Sequence, residues 1–433
     1  MNAIDPTNLS SGRCPYQLDP TGADIHGEGA ALRALGPAAP VELPGGIIAW
    51  SVTDPGLIRR LLTHRDISKD MRAHWPGYQD LPADWPLRPW VDVTNMLTAY
   101  GTEHTRLRKL VAGAFTQRRI MALAPVITTI TNRLLDQLIV ASHGGENSGG
   151  KRMRPVDLRA HFAYPLPLEV ICYLFGVPAD DEPGGAGIRD GMRMTVEKMF
   201  RTDISADEAT ANTAELYGIL TDLIALKCDS PSDDLTSDLI AARDVDETLT
   251  EQELIDTLLL FIGAGHETTV TLITHAVVNL LTHPDQLAVI RSGNATWRDA
   301  VEETLRHQAP VANLIMRVAI NDVHDEETGL TFRAGSPIVI GYAAANRSPD
   351  LYRDPDVFDL TRPAGGHLAF GHGTHFCLGA PLARLEADIA LPSLFMRFPG
   401  LRLADGELLE PLPSFISNGH RAVHVHLGAG HER

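Results

Sequence analysis

Residues 370–380 read FGHGTHFCLGA, and the one sulfur in that stretch decides how the rest of the chain is read. Cys377 lies among Gly371, Gly373 and Gly379, with His372 and His375 just upstream and an apolar helical pattern starting at Pro381. Such a thiol has four readings. A closed zinc site needs more ligands of the same kind, and no second cysteine is near. A nucleophile needs a paired base; His375 is close in sequence, but no local signature of a thiol enzyme accompanies it. A buried inert side chain is the commonest fate of a free cysteine. The fourth reading is a metal that takes a single thiolate, as haem iron does. In that case the glycines let the backbone approach the sulfur. Amides of the loop and of the following helix start would donate to it and keep it ionised. The glycine spacing matches neither GxGxxG nor a P-loop.

The surroundings narrow the field. The chain has 433 residues, a formal charge of −18 and four cysteines, Cys14, Cys172, Cys228 and Cys377. An acidic chain is a poor partner for nucleic acid or an anionic membrane surface, both of which attract a basic face. The cysteines form no CxxC pair and no secreted framework, so reduced thiols and a cytoplasmic location are expected. MNAIDPTNLSSGRCP lacks a basic start followed by an apolar run, so no leader or anchor is expected. Leu254–Thr282 exceeds the ~20 residues that span a bilayer. It carries Asp256, His266, Glu267 and His275, however, and a long helix through the centre of a soluble protein is the better reading.

Periodicity predicts a mainly α protein with a small β region and no βαβ alternation. Helices are expected over Pro55–Leu62, Thr102–Phe115, Arg119–Val140, Pro167–Phe175, Ala209–Cys228, Glu251–Leu281, Pro284–Arg291, Trp297–His307 and Pro381–Phe398. Short strands are expected at Ile47–Val52, Leu314–Ala319, Pro337–Tyr342 and Ala422–Leu427. The glycine-rich stretches His143–Gly150 and Asp180–Gly187 are too short to be domain linkers, so residues 1–433 read as one domain, with 1–20 a flexible N-terminus. Trp75, Trp85 and Trp90 fall in a proline-rich stretch, Arg72–Thr98, without helix or strand period. It is either a lid facing a substrate or a packed surface loop.

Three further groups of residues bear on chemistry. Gly263-Ala264-Gly265-His266-Glu267-Thr268 lies near the middle of the long helix. Two glycines there cost about 1 kcal/mol each relative to alanine, which asks for close approach of a ligand or tight helix packing. Thr268 can bond back to the carbonyl of Ala264 and open the helix. Glu267 beside it is either an acid for proton delivery, its pKa raised by burial, or a carboxylate that faces solvent or a buried arginine. Glu and Arg three apart occur twice, at Glu103/Arg106 and Glu303/Arg306, about what chance gives, and an isolated match reads as a surface ion pair. His104 and Arg108, Arg317 and His375 are basic groups that together suit an anionic ligand.

Taken together, FGHGTHFCLG, the upstream AGHETT and an ExxR between them resemble a cytochrome P450, from about Pro20 to Leu427. AAANR at 343–347 and FDLTR at 358–362 also fit that family. The resemblance implies a single-domain cytochrome P450 fold with haem b between the long central helix and the cysteine loop. Cys377 matches the thiolate ligand to iron. Phe370, Ala264 and Gly265 match haem- and oxygen-facing positions. His104, Arg108, Arg317 and His375 match the positions that bind the haem propionates. Glu303, Arg306 and Arg362 match a buried triad that locks the cysteine loop, and Glu267 and Thr268 match an acid–alcohol pair that manages protons for dioxygen.

The chain is similar to soluble actinomycete members near steroid-hydroxylating and polyketide-tailoring enzymes. That implies a monooxygenase using O2 on a lipophilic small molecule, with electrons from a ferredoxin and ferredoxin reductase. Arg106, Arg108, Lys109, Arg118 and Arg119 are the candidate docking cluster. Oxidative coupling, for example of a tryptophan-containing cyclic dipeptide, fits the same motifs; a non-catalytic haem-binding protein stands outside that class. By family topology the substrate contacts fall at 75–97, 192–200, 259–263, 311–314 and 415–417.

Overall fold

The computed structural model describes residues 14–428 apart from 83–84, 144–153, 202–203, 245–247 and 364. Its organising element is the helix Glu251–Thr282, the central helix, buried over most of its length. Thr250 opens it with a capping box: its side chain accepts from the Glu253 amide while Glu253 reaches back to the Thr250 amide. The polar residues that argued against a membrane span have protein partners. Asp256 accepts from Thr94 N at 2.6 Å and Gln252 Nε2 at 2.9 Å, and His266 Nε2 meets Tyr164 O at 2.9 Å. By length and composition this helix passes for a membrane span, but its apolar surface is covered by other helices of the same chain.

Ala380–Arg397, the helix that follows the cysteine, packs against the central helix, as does Trp297–His307. Both start on sequence cues: Pro381 in the first turn of one, and a Thr296–Asp299 capping box in the other. The expected helix Arg119–Val140 is two helices, Gln117–Ala122 and Ala124–His143, part of a 64° bend in the chain. Pro125 supplies the reason, since it brings no N–H and its ring restricts Ala124.

The β region is a six-stranded sheet in the order Tyr16–Gln17, Ala38–Leu43, Ile47–Val52, Pro337–Gly341, Asn313–Ala319, Ile67–Ser68. Of the segment 1–20 expected to be flexible, residues 14–20 are described. Residues 1–13 lie outside the described residues, but Tyr16 and Gln17 pair with Val41 and Glu42 as an edge strand. Between Leu314 and Arg317 the ladder register shifts, a bulge of the kind that re-aims a side chain. The strand expected at Ala422–Leu427 is shorter, His424–His426, in a separate three-stranded sheet.

Of the two glycine-rich stretches, 144–150 lies outside the described residues. The end of the other, Gly185–Gly187, opens the helix Gly185–Val196. The tryptophan-rich stretch contains short helical turns at Met71–His74, Pro76–Asp80 and Pro89–Asp92. Both readings of it hold in part. Trp75 is buried in a core cluster on the sheet side, whereas residues between Trp85 and Leu97 roof a large cavity.

Candidate active site

That cavity, about 910 Å³, lies between the central helix and the cysteine loop. Ala264, Gly265, Thr268 and Thr269 line one wall; Phe370, His375, Cys377 and Leu378 line the opposite one. The loop is shaped by Gly371 at φ +73° and Gly373 at φ +70°, where a Cβ on Gly373 would stand 2.7 Å from Leu62 O. The Cys377 amide donates to Phe370 O at 2.9 Å. The exposed surface of Cys377 faces the cavity rather than bulk solvent. Beside the sulfur the Gly379 and Ala380 amides, with Arg108 and Arg384, favour its ionised form, while burial pushes the thiol pKa up.

The basic residues converge beside this loop. The His104 and His375 rings are 4.1 Å apart, and Arg108 Nη2 donates to Phe376 O at 2.8 Å. Arg317, aimed inward by the bulge, is buried with its Nε unpartnered, and His104 Nε2 is unpartnered too. Lys69, which sequence reasoning missed, is buried with them and donates to Ile315 O at 2.6 Å. Burial first, and mutual repulsion next, push His104, His375 and Lys69 below their ordinary pKa values; burial does the same to Arg317. None of these groups has a carboxylate partner among the described residues. A buried, uncompensated positive cluster is costly unless an anion joins it. The propionates of haem are anions that fit, with the porphyrin over Cys377. Phe370 lines the cavity, its ring held under the Arg384 guanidinium at 4.5 Å; Arg384 in turn grips Glu302 at 2.6 and 2.8 Å.

Glu303 and Arg306 are a buried bidentate pair, 2.7 Å at both contacts, and Arg362 Nε stands 3.4 Å from Glu303 Oε1. Arg306 also donates to Pro355 O, Val357 O and Asn346 O. The Asn346 side chain takes the Leu368 amide at 2.7 Å, and Leu368 O takes the Gly371 amide at 2.8 Å. The pair thus fixes the segment that enters the cysteine loop. The other match, Glu103 and Arg106, is the surface pair expected of an isolated match.

On the central helix the two residues of the expected acid–alcohol pair face different ways. Thr268 Oγ1 donates to Ala264 O at 2.6 Å, as predicted. Gly263 and Gly265 line the cavity and also pack closely: Cβ atoms there would meet Met199 Cε at 2.8 Å and Ile171 Cδ1 at 3.3 Å. Glu267 does not share the cavity with Thr268. It is fully buried on another face, with both carboxylate oxygens 2.9 Å from Nη2 of Arg159, an arginine that nothing in the sequence singled out. Neighbours in a helix point about 100° apart, so an acid and an alcohol adjacent in sequence look in different directions. Of the expected substrate contacts, Trp85–Leu97, Met199, Phe200, Leu259, Val311, Leu314 and Ile416 reach the cavity, while Trp75 and Met192 pack elsewhere.

A cavity-facing sulfur beside buried basic groups with orphaned nitrogens at Arg317 and His104 fits a haem, its iron at the sulfur and its propionates at the basic groups. The chain belongs to the cytochrome P450 family, whose model matches residues 189–292 and 297–412; it is a cytochrome P450 monooxygenase with haem b as its cofactor. The 2-hydroxy-5-methyl-1-naphthoate 7-hydroxylase of Streptomyces carzinostaticus is 40% identical over 96% of this chain and 98% of that protein. The structure of CYP154A1 from Streptomyces coelicolor A3(2) is 52% identical, with a TM-score of 0.87, over 95% of this chain and 100% of the other. Testosterone-bound CYP154C4 from a Streptomyces species is 40% identical, with the same TM-score, over 97% and 100%.

Arg317→Leu is expected to speed haem loss to a scavenging apoprotein by roughly tenfold or more, since a hydrogen bond to a charged group contributes ~1.5–3 kcal/mol. Lys69→Gln should have a smaller effect in the same direction. Absorbance follows the transfer, and unchanged rates in both variants would place the propionates elsewhere.

Proposed function

We propose that the chain, acting as one domain over 1–433, hydroxylates a neutral lipophilic small molecule of steroid or polyketide size in the cytoplasm. Electrons would come from a ferredoxin and its reductase. The observation that carries this reading is the cavity itself. Its volume lies near the upper end of the ~300–1,000 Å³ usual for ligand sites, enough for a cofactor and a substrate together. Its roof and far wall are largely apolar, with Trp90, Met96, Leu97, Phe200, Leu259 and Leu314. The steroid-bound structure among the relatives supports a substrate of that kind.

In this reading Cys377 holds the iron, and His104, Arg108, Arg317 and His375, with Lys69, hold the propionates. Bound there, haem supplies the reduction of dioxygen and the oxidation of a substrate C–H bond. Ala264 and Gly265 leave room beside the Thr268 hydroxyl, which moves a proton at that wall. Glu267 stands behind it and contributes a proton only when its grip on Arg159 loosens. Glu303, Arg306 and Arg362 keep the loop rigid, and the Trp85–Leu97 roof excludes water. The free cysteines suit a reducing compartment.

The docking cluster narrows to two residues. Arg106 is engaged by Glu103 and Glu253, Arg108 by Phe376 O, and Arg119 by Asp238. Lys109 and Arg118 are exposed. Reversing both charges should raise the KM for an acidic ferredoxin roughly tenfold at low salt, with the effect shrinking as salt rises. An unchanged KM at low salt would move the docking face elsewhere.

The substrate class is tested by titrating the ferric protein with steroids, macrolactones and tryptophan-containing cyclic dipeptides. Displacement of iron-bound water shifts the haem band. A saturable shift with steroids or macrolactones is the expected outcome; a shift with the dipeptides alone would favour oxidative coupling.

A further inference from the structure

The helix Ala206–Asp229 buries a stripe at Asn212, Leu216, Leu220 and Leu223, apolar except at its first place. Such a stripe packs a helix against its neighbours, and a leucine would fill the place of the asparagine with no polar group to satisfy. Asn212 is 5% exposed. Its Nδ2 donates to Thr195 O of the helix Gly185–Val196 at 3.0 Å, and this contact fixes which way the amide points, because a carbonyl oxygen takes only the donor end. Its Oδ1 is buried and has no hydrogen-bond partner. Burying an acceptor without a donor is unfavourable, so the position asks for a donor that the protein does not supply.

Asn212 lines the cavity with Ala209, Thr213 and Leu216 of the same helix. This helix packs on the roof turn Pro89–Asp92 and on the central helix, so the amide belongs to the roof side. The other polar side chains there are committed. Asn95 donates to Asp256 O at 3.1 Å and accepts from Leu97 N at 2.9 Å, and Tyr217 donates to the Asp256 carboxylate. Thr213, Thr268 and Thr269 donate to carbonyls one turn back in their own helices. Arg88 and Asp92 hold each other, and Lys198 and Thr210 are exposed. Among the described hydroxyl and amide side chains of the lining, Asn212 alone has a buried polar atom without a partner. An amide oxygen accepts and cannot donate, so it suits a hydroxyl or an N–H; a ketone, ether or ester would set acceptor against acceptor.

We propose that Asn212 is a specificity-determining residue, whose Oδ1 accepts a hydrogen bond from a hydroxyl or N–H of the substrate. The substrate is then a lipophile that carries a donor, such as a hydroxysteroid or a macrolactone alcohol, rather than a bare hydrocarbon or a ketone. The bond holds the molecule by a point on the roof side, which limits the carbons that can face Cys377. A molecule without the donor loses twice: it gains no bond, and it leaves the buried acceptor unpaired. The inference rests on the reading of the cavity as a site for a lipophilic substrate, and deepens it without depending on one carbon skeleton.

The test titrates the haem-loaded ferric protein with pairs of probes that differ at one oxygen: testosterone and androstenedione, and dodecanol and its methyl ether. The shift of the haem band reads the affinity. In at least one pair the donor-bearing member should bind the wild type roughly tenfold more tightly than its counterpart. In Asn212→Leu that member should weaken by the same factor, while the donor-lacking one binds as before or better. A residue that only packs the helix would instead weaken both members together. Thermal unfolding and the carbon monoxide band of the reduced variant check that it is folded. Should leucine unfold the protein, Asn212→Ala is expected to lose the preference in the same way. Equal affinities within every pair, as when water alone satisfies the amide, would overturn the proposal. So would the binding of no probe at all, or a preference that survives in both variants. A steroid pair that fails while the dodecanol pair shows the preference would count against a steroid-sized substrate and support the role of Asn212.

Discussion

The structure depends on a desolvated sulfur. Cys377 is enclosed by a glycine-shaped loop and the start of a helix, and two amides point at it. Those donors favour a thiolate and burial opposes it, and a metal cation over the sulfur would add to the stabilisation. The basic wall has the converse requirement: Arg317, His104, His375 and Lys69 are buried together and need an anion. A haem answers both demands, iron for the sulfur and propionates for the wall. Each half of the cavity is electrostatically costly alone, and the cofactor offsets both costs at once.

Rigidity comes from a different place. The Glu303–Arg306 pair lies outside the cavity but holds the backbone carbonyls of the segment that enters the cysteine loop. Burial separates this pair from its sequence twin, Glu103–Arg106. Losing one partner of a buried pair costs ~3–5 kcal/mol, whereas an exposed pair contributes ~0–1 kcal/mol. The central helix divides its labour by face in a similar way. Thr268 lines the cavity and donates to Ala264 O within an unbroken helix, and Glu267, one residue earlier, is turned into the protein and paired with Arg159.

Much of this was legible in the sequence. The central helix, the helix after the cysteine and Trp297–His307 have strong apolar periods and clear start signals, and they stand within a residue or two of where those signals put them. The Thr268–Ala264 bond follows from helix geometry. Other features carried weaker signals. Gly185–Val196 begins in a glycine-rich run that reads as loop, and Ala124–His143 splits off at a proline that the apolar period overrides. Lys69 and Arg159 have ordinary neighbours in sequence; only the tertiary fold buries one near Arg317 and makes the other the partner of Glu267.

The most direct test of the account is the carbon monoxide difference spectrum of the reduced protein, taken beside that of Cys377→His. The account predicts the long-wavelength band of a thiolate-ligated haem in the wild type and its replacement by the shorter-wavelength band of an imidazole-ligated haem in the variant. A protein that purifies without haem, or a wild-type band that survives the loss of Cys377, would contradict it.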